Sequence, residues 1–260
     1  MKETLSSAET LAAAEQAALT KTKLGTRKTL VLAALAGAYI AMGGTLSLLV
    51  GYGFAQAAAG NPGLQKLLSG AMFPLGLILV VLAGAELFTG NNAVLMPGAL
   101  ARRYGWGKVA RNWTLVWMGN FAGALFFTYF MVVLPGVLSS EMWREAACNI
   151  AQAKVSLPWS TVFLRGVGAN WLVCLAVWLG MSANDVPGRM LGLFFPIMCF
   201  VVIGYEHCIA NMFFIPLGML LGAPVSAAEL FAGNLVPATL GNIVGGGLFV
   251  GGLYWYLNRK

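Results

Sequence analysis

Of 260 residues, 59% are apolar and only 10% are charged, and the mean hydropathy of +0.78 lies far outside the range of water-soluble domains. That balance excludes a soluble enzyme, and the net charge of +7 has to be explained by where the basic residues stand along the chain. Gly-x-Ser-x-Gly, Walker, His-Glu-x-x-His and dinucleotide-binding motifs are absent, so neither catalysis nor an ATP-driven step is expected.

Residues 1–26 carry Lys2, Glu3, Glu9, Glu15, Lys21 and Lys23 without an apolar core, which is unlike a cleaved secretory signal. Leu5, Leu11 and Leu19 among Ala, Ser and Glu predict a short amphipathic helix over 3–20, lying outside the bilayer. The rest, 27–260, reads as one membrane domain. Its charge-free runs at 29–50, 67–85, 112–134, 166–182, 190–205 and 230–257 are long enough for about six crossings, the first serving as its own insertion signal.

Lys21, Lys23, Arg27 and Lys28 precede the first run, Arg102, Arg103, Lys108 and Arg111 lie between the second and third, and Arg259 and Lys260 end the chain. This is the positive-inside pattern and predicts cytoplasmic termini; the connections left outside, 51–66, 135–158 and 222–229, hold only Lys66, Arg144 and Lys154 as cations. No nucleic-acid partner is needed to account for the charge. Cys148, Cys174, Cys199 and Cys208 have no metal-ligand spacing and read as small apolar fillers, so neither a disulfide framework nor a metal or cofactor site is expected.

The chain repeats itself. Gly84-Ala85-Glu86 with Gly90-Asn91 returns as Gly204-Tyr205-Glu206 with Ala210-Asn211, a shift of 120 (206 − 86). Gly119-Asn120-Phe121-Ala122-Gly123 returns as Gly241-Asn242-Ile243-Val244-Gly245, a shift of 122 (242 − 120). The halves, about 27–150 and 151–258, then hold three crossings each, and an odd number inverts the second copy. Glu86 and Glu206 interrupt apolar segments and are followed by Pro97 and Pro216, so both segments read as helix, loop, short helix. Unwound backbone at membrane depth has to line a cavity or be buried in protein. The glycine pairs 119/123 and 241/245 give small-residue faces for close helix packing.

His207 is the single histidine and falls inside one break; a structural core histidine is the commoner case, but an ionisable group at this depth is a pore candidate. For Glu86 and Glu206 the structural reading is preferred, as carboxylates accepting backbone N–H bonds from the broken helix ends. Asn91 and Asn211 read as caps of the breaks, whereas Thr89 and Asn170 suit either capping or hydrogen bonding to a small ligand. Lys154 is a candidate for attracting anions or a solvated surface lysine. Phe73 with Leu77, and Asn170 with Val173, have helix-face spacing, which by itself means packing.

Gly204-Tyr205-Glu206-His207-Cys208-Ile209-Ala210-Asn211-Met212, with Ala83-Gly84-Ala85-Glu86-Leu87-Phe88-Thr89-Gly90 and Asn170-Trp171-Leu172-Val173-Cys174-Leu175, resembles the formate/nitrite transporter family over residues 27–257. The resemblance implies an all-α, aquaporin-like fold of six spans, the second and fifth interrupted. It also implies a homopentamer with one pore per protomer, in a bacterial or archaeal cytoplasmic (inner) membrane. Phe73, Leu77 and Phe200 match the family's outer constriction; Leu87, Phe88, Val173 and Ala210 match its inner one, with His207 between. Thr89 and Asn170 match residues that approach the histidine, and Lys154 a basic residue near the outer mouth.

The implied function is passive or proton-coupled transport of formate, which takes a proton near His207 and crosses as the neutral acid. Nitrite, hydrosulfide, acetate or lactate would suit the same fold; formate is preferred because 204–217 looks most like the formate branch. Other classes fit less well. Aquaporins carry Asn-Pro-Ala twice where this chain has only Asn61-Pro62-Gly63, and ammonia channels use paired histidines. A haem-bearing membrane anchor needs histidines on facing helices.

Overall fold

The computed structural model describes residues 4–259 and is all-helical, apart from one isolated bridge between Thr4 and Ala183. Six helices are long and apolar enough to cross a membrane. In chain order the elements are α1 (Ser7–Lys23), α2 (Thr26–Tyr52), α3 (Pro62–Leu82), the short α4 (Phe88–Val94), α5 (Trp106–Val133), α6 (Glu141–Val155), α7 (Trp159–Ser182), α8 (Val186–Ile203), α9 (Cys208–Leu220) and α10 (Glu229–Asn258). The second and fifth spans, α3 and α8, each end in unwound backbone that restarts as a shorter buried helix, α4 and α9.

The breaks fall where the sequence places them. Val80 O accepts from Ala85 N, and Phe200 O from Gly204 N and Tyr205 N, so each span closes on a tight C-terminal turn. Gly84 (φ +80°) and Gly204 (φ +84°) take the left-handed turn there, a conformation that a side chain would strain. Pro74 and Pro196 stand ten and eight residues before these glycines (84 − 74; 204 − 196), and the chain re-enters the bundle rather than leaving it.

Packing repeats between the halves. α2 packs on α5 and α3 in the first half, as α7 packs on α10 and α8 in the second. The close approach depends on glycine: a Cβ on Gly123 would run into Ala34 O, and one on Gly245 into Val167 O. Both ends of the chain lie on one face, where Asn258 Nδ2 donates to Ser7 Oγ (3.0 Å) and Leu5 N to Ser182 O (2.8 Å). This face is called terminal below, and the opposite one distal.

α1 is capped by Ser6, which forms a capping box with Glu9, and it buries Leu11, Ala14 and Ala18 against the rest of the bundle. Arg103 pairs with Glu15 (2.8 Å) and fixes its outer side. Tyr104 lies in the connection before α5 and donates to Leu95 O (2.7 Å); burial and the nearby Glu15 raise its phenol above the ordinary tyrosine value.

Candidate functional site

At each break the new helix starts with its first N–H groups inside protein, where an unpaired donor costs about 1–3 kcal/mol. Two asparagines meet that need. Phe88 N donates to Asn120 Oδ1 (2.9 Å) and Cys208 N to Asn242 Oδ1 (2.9 Å). The amide of Asn120 turns to Ala33 O (2.8 Å) and Glu86 O (2.9 Å), and that of Asn242 to Gly166 O (2.8 Å) and Glu206 O (3.0 Å). These residues stand in the repeated Gly-Asn motif, where the glycines suggest packing and hide the asparagines' role.

The glutamates do something other than expected. Among the described residues their carboxylates accept no backbone N–H; each takes asparagine amide and lysine ammonium donors. Glu86 receives Asn91 Nδ2 (2.7 Å) and Lys21 Nζ (2.6 Å), and Glu206 receives Asn211 Nδ2 (2.6 Å), Asn234 Nδ2 (3.1 Å) and Lys154 Nζ (3.0 Å). Desolvation would otherwise make two such buried charges costly, and the ion pair with its extra hydrogen bonds offsets it. Asn91 and Asn211 therefore serve the carboxylates; each also donates to a further asparagine, Asn112 (2.9 Å) and Asn234 (2.6 Å).

The correspondence extends to α1. Glu86 N donates to Leu32 O and Glu206 N to Arg165 O, a shift of 133 (165 − 32), and Lys21 and Lys154 stand at that same shift (154 − 21). Lys21 is thus the counterpart of Lys154, and α1 stands to the first half as α6 stands to the second. Asn234 Nδ2 also bonds Lys154 O (3.1 Å), whereas the matching Asn112 Nδ2 is unpartnered among the described residues.

His207 is the N-cap of α9, 2% exposed, and its ring accepts Ala210 N at Nδ1 (3.1 Å). A nitrogen that accepts carries a lone pair, so the ring hydrogen is assigned to Nε2, which donates to Thr89 Oγ1 (2.9 Å). Asn170 makes no hydrogen bond to the imidazole among the described residues. Its amide binds Thr89 O (3.2 Å), Asn92 Oδ1 (3.0 Å) and Asn242 O (2.7 Å), so it acts on the histidine through Thr89. Cys174 joins from the next turn, its thiol against Thr89 O (3.2 Å) and Asn170 Oδ1 (3.5 Å), and is therefore more than the apolar filler the sequence suggests.

Two cavities approach this centre from opposite faces. The distal one, about 230 Å³, reaches His207 past Phe73, Phe200 and Ala210 and has Lys154 and Glu206 in its wall. Phe73 and Phe200 meet edge to face with ring centroids 5.7 Å apart, and Phe200 lies 5.7 Å from the imidazole. The terminal cavity, about 490 Å³, is walled by Leu77, Leu87, Gly90 and Val177 beside Lys21 and Glu86. The candidate constriction residues are distributed around these cavities. Leu77 faces the terminal cavity and Ala210 the distal one, Val173 is buried without lining either, and Phe88 packs on Trp113 (6.2 Å) in a separate apolar groove between α5 and α10.

A family model described as formate/nitrite transporter matches residues 8–256. The chain belongs to the formate/nitrite transporter family. Within it, the chain is 47% identical to a probable formate transporter of Methanothermobacter thermautotrophicus, over 98% of this chain and 97% of that one. Among solved structures, an FNT family ion channel superimposes with a TM-score of 0.87 at 29% identity, over 96% of this chain and 98% of that one. A pentameric formate channel with formate bound superimposes with a TM-score of 0.80 at 36% identity, over 90% of this chain and 98% of that one. The six-span helical fold of this formate/nitrite transporter, with its interrupted second and fifth spans, is therefore shared with solved channels.

Proposed function

We propose that this chain is a formate channel, assembled as a homopentamer with a pore in every protomer, in a bacterial or archaeal cytoplasmic membrane. The basic residues gathered on the terminal face, with Arg103 and Arg111 tied to α1 and to the start of α2, support a cytoplasmic position for that face. The observation that carries the reading is the buried imidazole of His207, in the wall of the distal cavity and bonded through Nε2 to Thr89.

Formate has a pKa of about 4, so protonating it at pH 7 costs about 4 kcal/mol, whereas a bare carboxylate in a dry apolar passage costs far more. Between Phe73, Phe200 and Leu77 the neutral acid is the form that passes. Protonated His207 would present two N–H donors, one of them facing the N–H of Ala210. Donor against donor is repulsive, so the ring stays neutral. The proton then comes from water in the cavity, and Nε2–H is the donor that receives the acid's carbonyl oxygen in place of Thr89. Lys154 and Lys21 stand in the walls of the two approaches, each held there by its ion pair with Glu206 or Glu86.

The test is uptake of labelled formate by proteoliposomes, with nitrite, hydrosulfide, acetate and lactate as competitors. Saturable uptake well above that of empty vesicles, with formate preferred, is expected. Formate entering no faster than in empty vesicles refutes the proposal, and preference for another competitor reassigns the cargo.

A further inference from the structure

The charged side chains lining each cavity form a short inventory. The distal cavity holds Lys154, Glu206 and Lys66; the terminal cavity holds Lys21, Glu86 and Arg189. In each, one lysine is cancelled by its glutamate, at 3.0 Å and 2.6 Å respectively. A paired charge casts little field into the solvent beyond it, so the lysines of these pairs contribute only a dipole to an approaching anion. The uncancelled charge is on Lys66 on one side and Arg189 on the other; neither forms an ion pair among the described residues.

Their positions are related. Lys66 lies eight residues before Pro74 (74 − 66) and Arg189 seven before Pro196 (196 − 189), near-equivalent sites at the starts of α3 and α8. Both are solvent-exposed, at opposite mouths. Gln65 and Ser69 stand beside Lys66 on α3, their side chains joined (3.2 Å), and Tyr52 closes the same rim. Arg189 is anchored through Nε to Ala183 O (3.1 Å), which leaves its terminal nitrogens for a ligand. Asp185, one turn before it, spends a carboxylate oxygen on Gly188 N (2.6 Å).

We infer that Lys66 and Arg189 are the anion-collecting residues of the two mouths, concentrating small monovalent anions ahead of the constriction, while Lys154 and Lys21 organise the helix breaks. The inference rests on the formate reading above. A single exposed cation at a narrow mouth acts on capture and leaves the passage itself unchanged, and its field is screened within about 10 Å at 0.1 M salt.

Initial formate uptake is measured against concentration at about 0.01 M and about 0.5 M inert salt, which spans weak and strong screening. At low salt, Lys66→Gln and Arg189→Gln are each expected to raise the half-saturating formate concentration about threefold, and Lys66→Glu by more, with the maximal rate within about twofold of the parent. The differences are expected to vanish at high salt, and Arg189→Lys, which keeps the charge and loses the anchor, to stay close to the parent. A parent channel that moves formate while Lys66→Gln and Arg189→Gln show unchanged half-saturation and salt dependence overturns this inference alone. A parent that moves no formate overturns the transport reading and this inference with it.

Discussion

The ammonium of Lys154 and the carboxylate of Glu206 lie 3.0 Å apart in the wall of the distal cavity, both largely withdrawn from solvent. Glu206 also receives the amides of Asn211 and Asn234, and its own backbone joins the bonds of Asn242, so the pair ties α6, α9 and α10 to the break. Glu206→Gln leaves the lysine without its counter-charge, and one-sided disruption of a buried pair costs about 3 kcal/mol. The unfolding midpoint of the purified protein in detergent is expected to fall, and to recover in part when Lys154→Met accompanies the change. Equal midpoints for parent and Glu206→Gln contradict this role.

Asn242→Ala strips Cys208 N of its acceptor and two carbonyls, Gly166 O and Glu206 O, of their donor. Each orphaned group costs about 1–3 kcal/mol, so the substitution is expected to cost more than Glu206→Gln and to abolish folding in a marginally stable background. Asn120→Ala is expected to do the same in the other half, because Phe88 N, Ala33 O and Glu86 O lose the matching bonds. Thermal denaturation of both variants, side by side, is the check. A large loss in one and none in the other contradicts the equivalence of the halves.

Thr89→Val keeps the volume but removes the hydroxyl from His207 Nε2. The unpaired N–H is expected to lower stability by about 1–3 kcal/mol and formate flux with it, and Thr89→Ser to restore both. Cys174→Ala, which loosens Thr89 O without touching the imidazole, is expected to have a smaller effect in the same direction. Flux measured on the three variants orders them; Cys174→Ala falling below Thr89→Val runs against the expected order.

The spans, the two breaks and the inverted repeat are legible because hydrophobic runs, Gly84 and Gly204, and Glu86 and Glu206 repeat at nearly one spacing. Lys21 is not, because the shift between copies is 133 at Lys21/Lys154 but 120 at Glu86/Glu206; the first half spends extra residues in the 53–61 connection. The asparagines that support the breaks from other helices are also hidden. Asn112, Asn120, Asn234 and Asn242 sit on apolar helices as isolated polar residues, and only folding shows which broken helix end they reach. Side-chain direction separates Leu77 from Phe73 and Phe88 from Leu87, since one residue along unwound backbone or one turn along a helix changes the face presented. The thiol of Cys174 has no sequence signal that distinguishes it from a packing cysteine.

The central claim is that solute passes His207 as the neutral acid, with the imidazole a fixed donor and the proton drawn from cavity water. His207→Asn keeps an acceptor for Ala210 N and an N–H donor but removes every titrating atom. Initial formate uptake at fixed total formate is measured for parent and variant from about pH 5 to about pH 8, a range in which the neutral acid falls steadily. Uptake rising toward acid pH in both, with a lower rate in the variant, is the expected result. A parent whose uptake ignores pH, or a variant that has lost the acid rise while still transporting, contradicts the account.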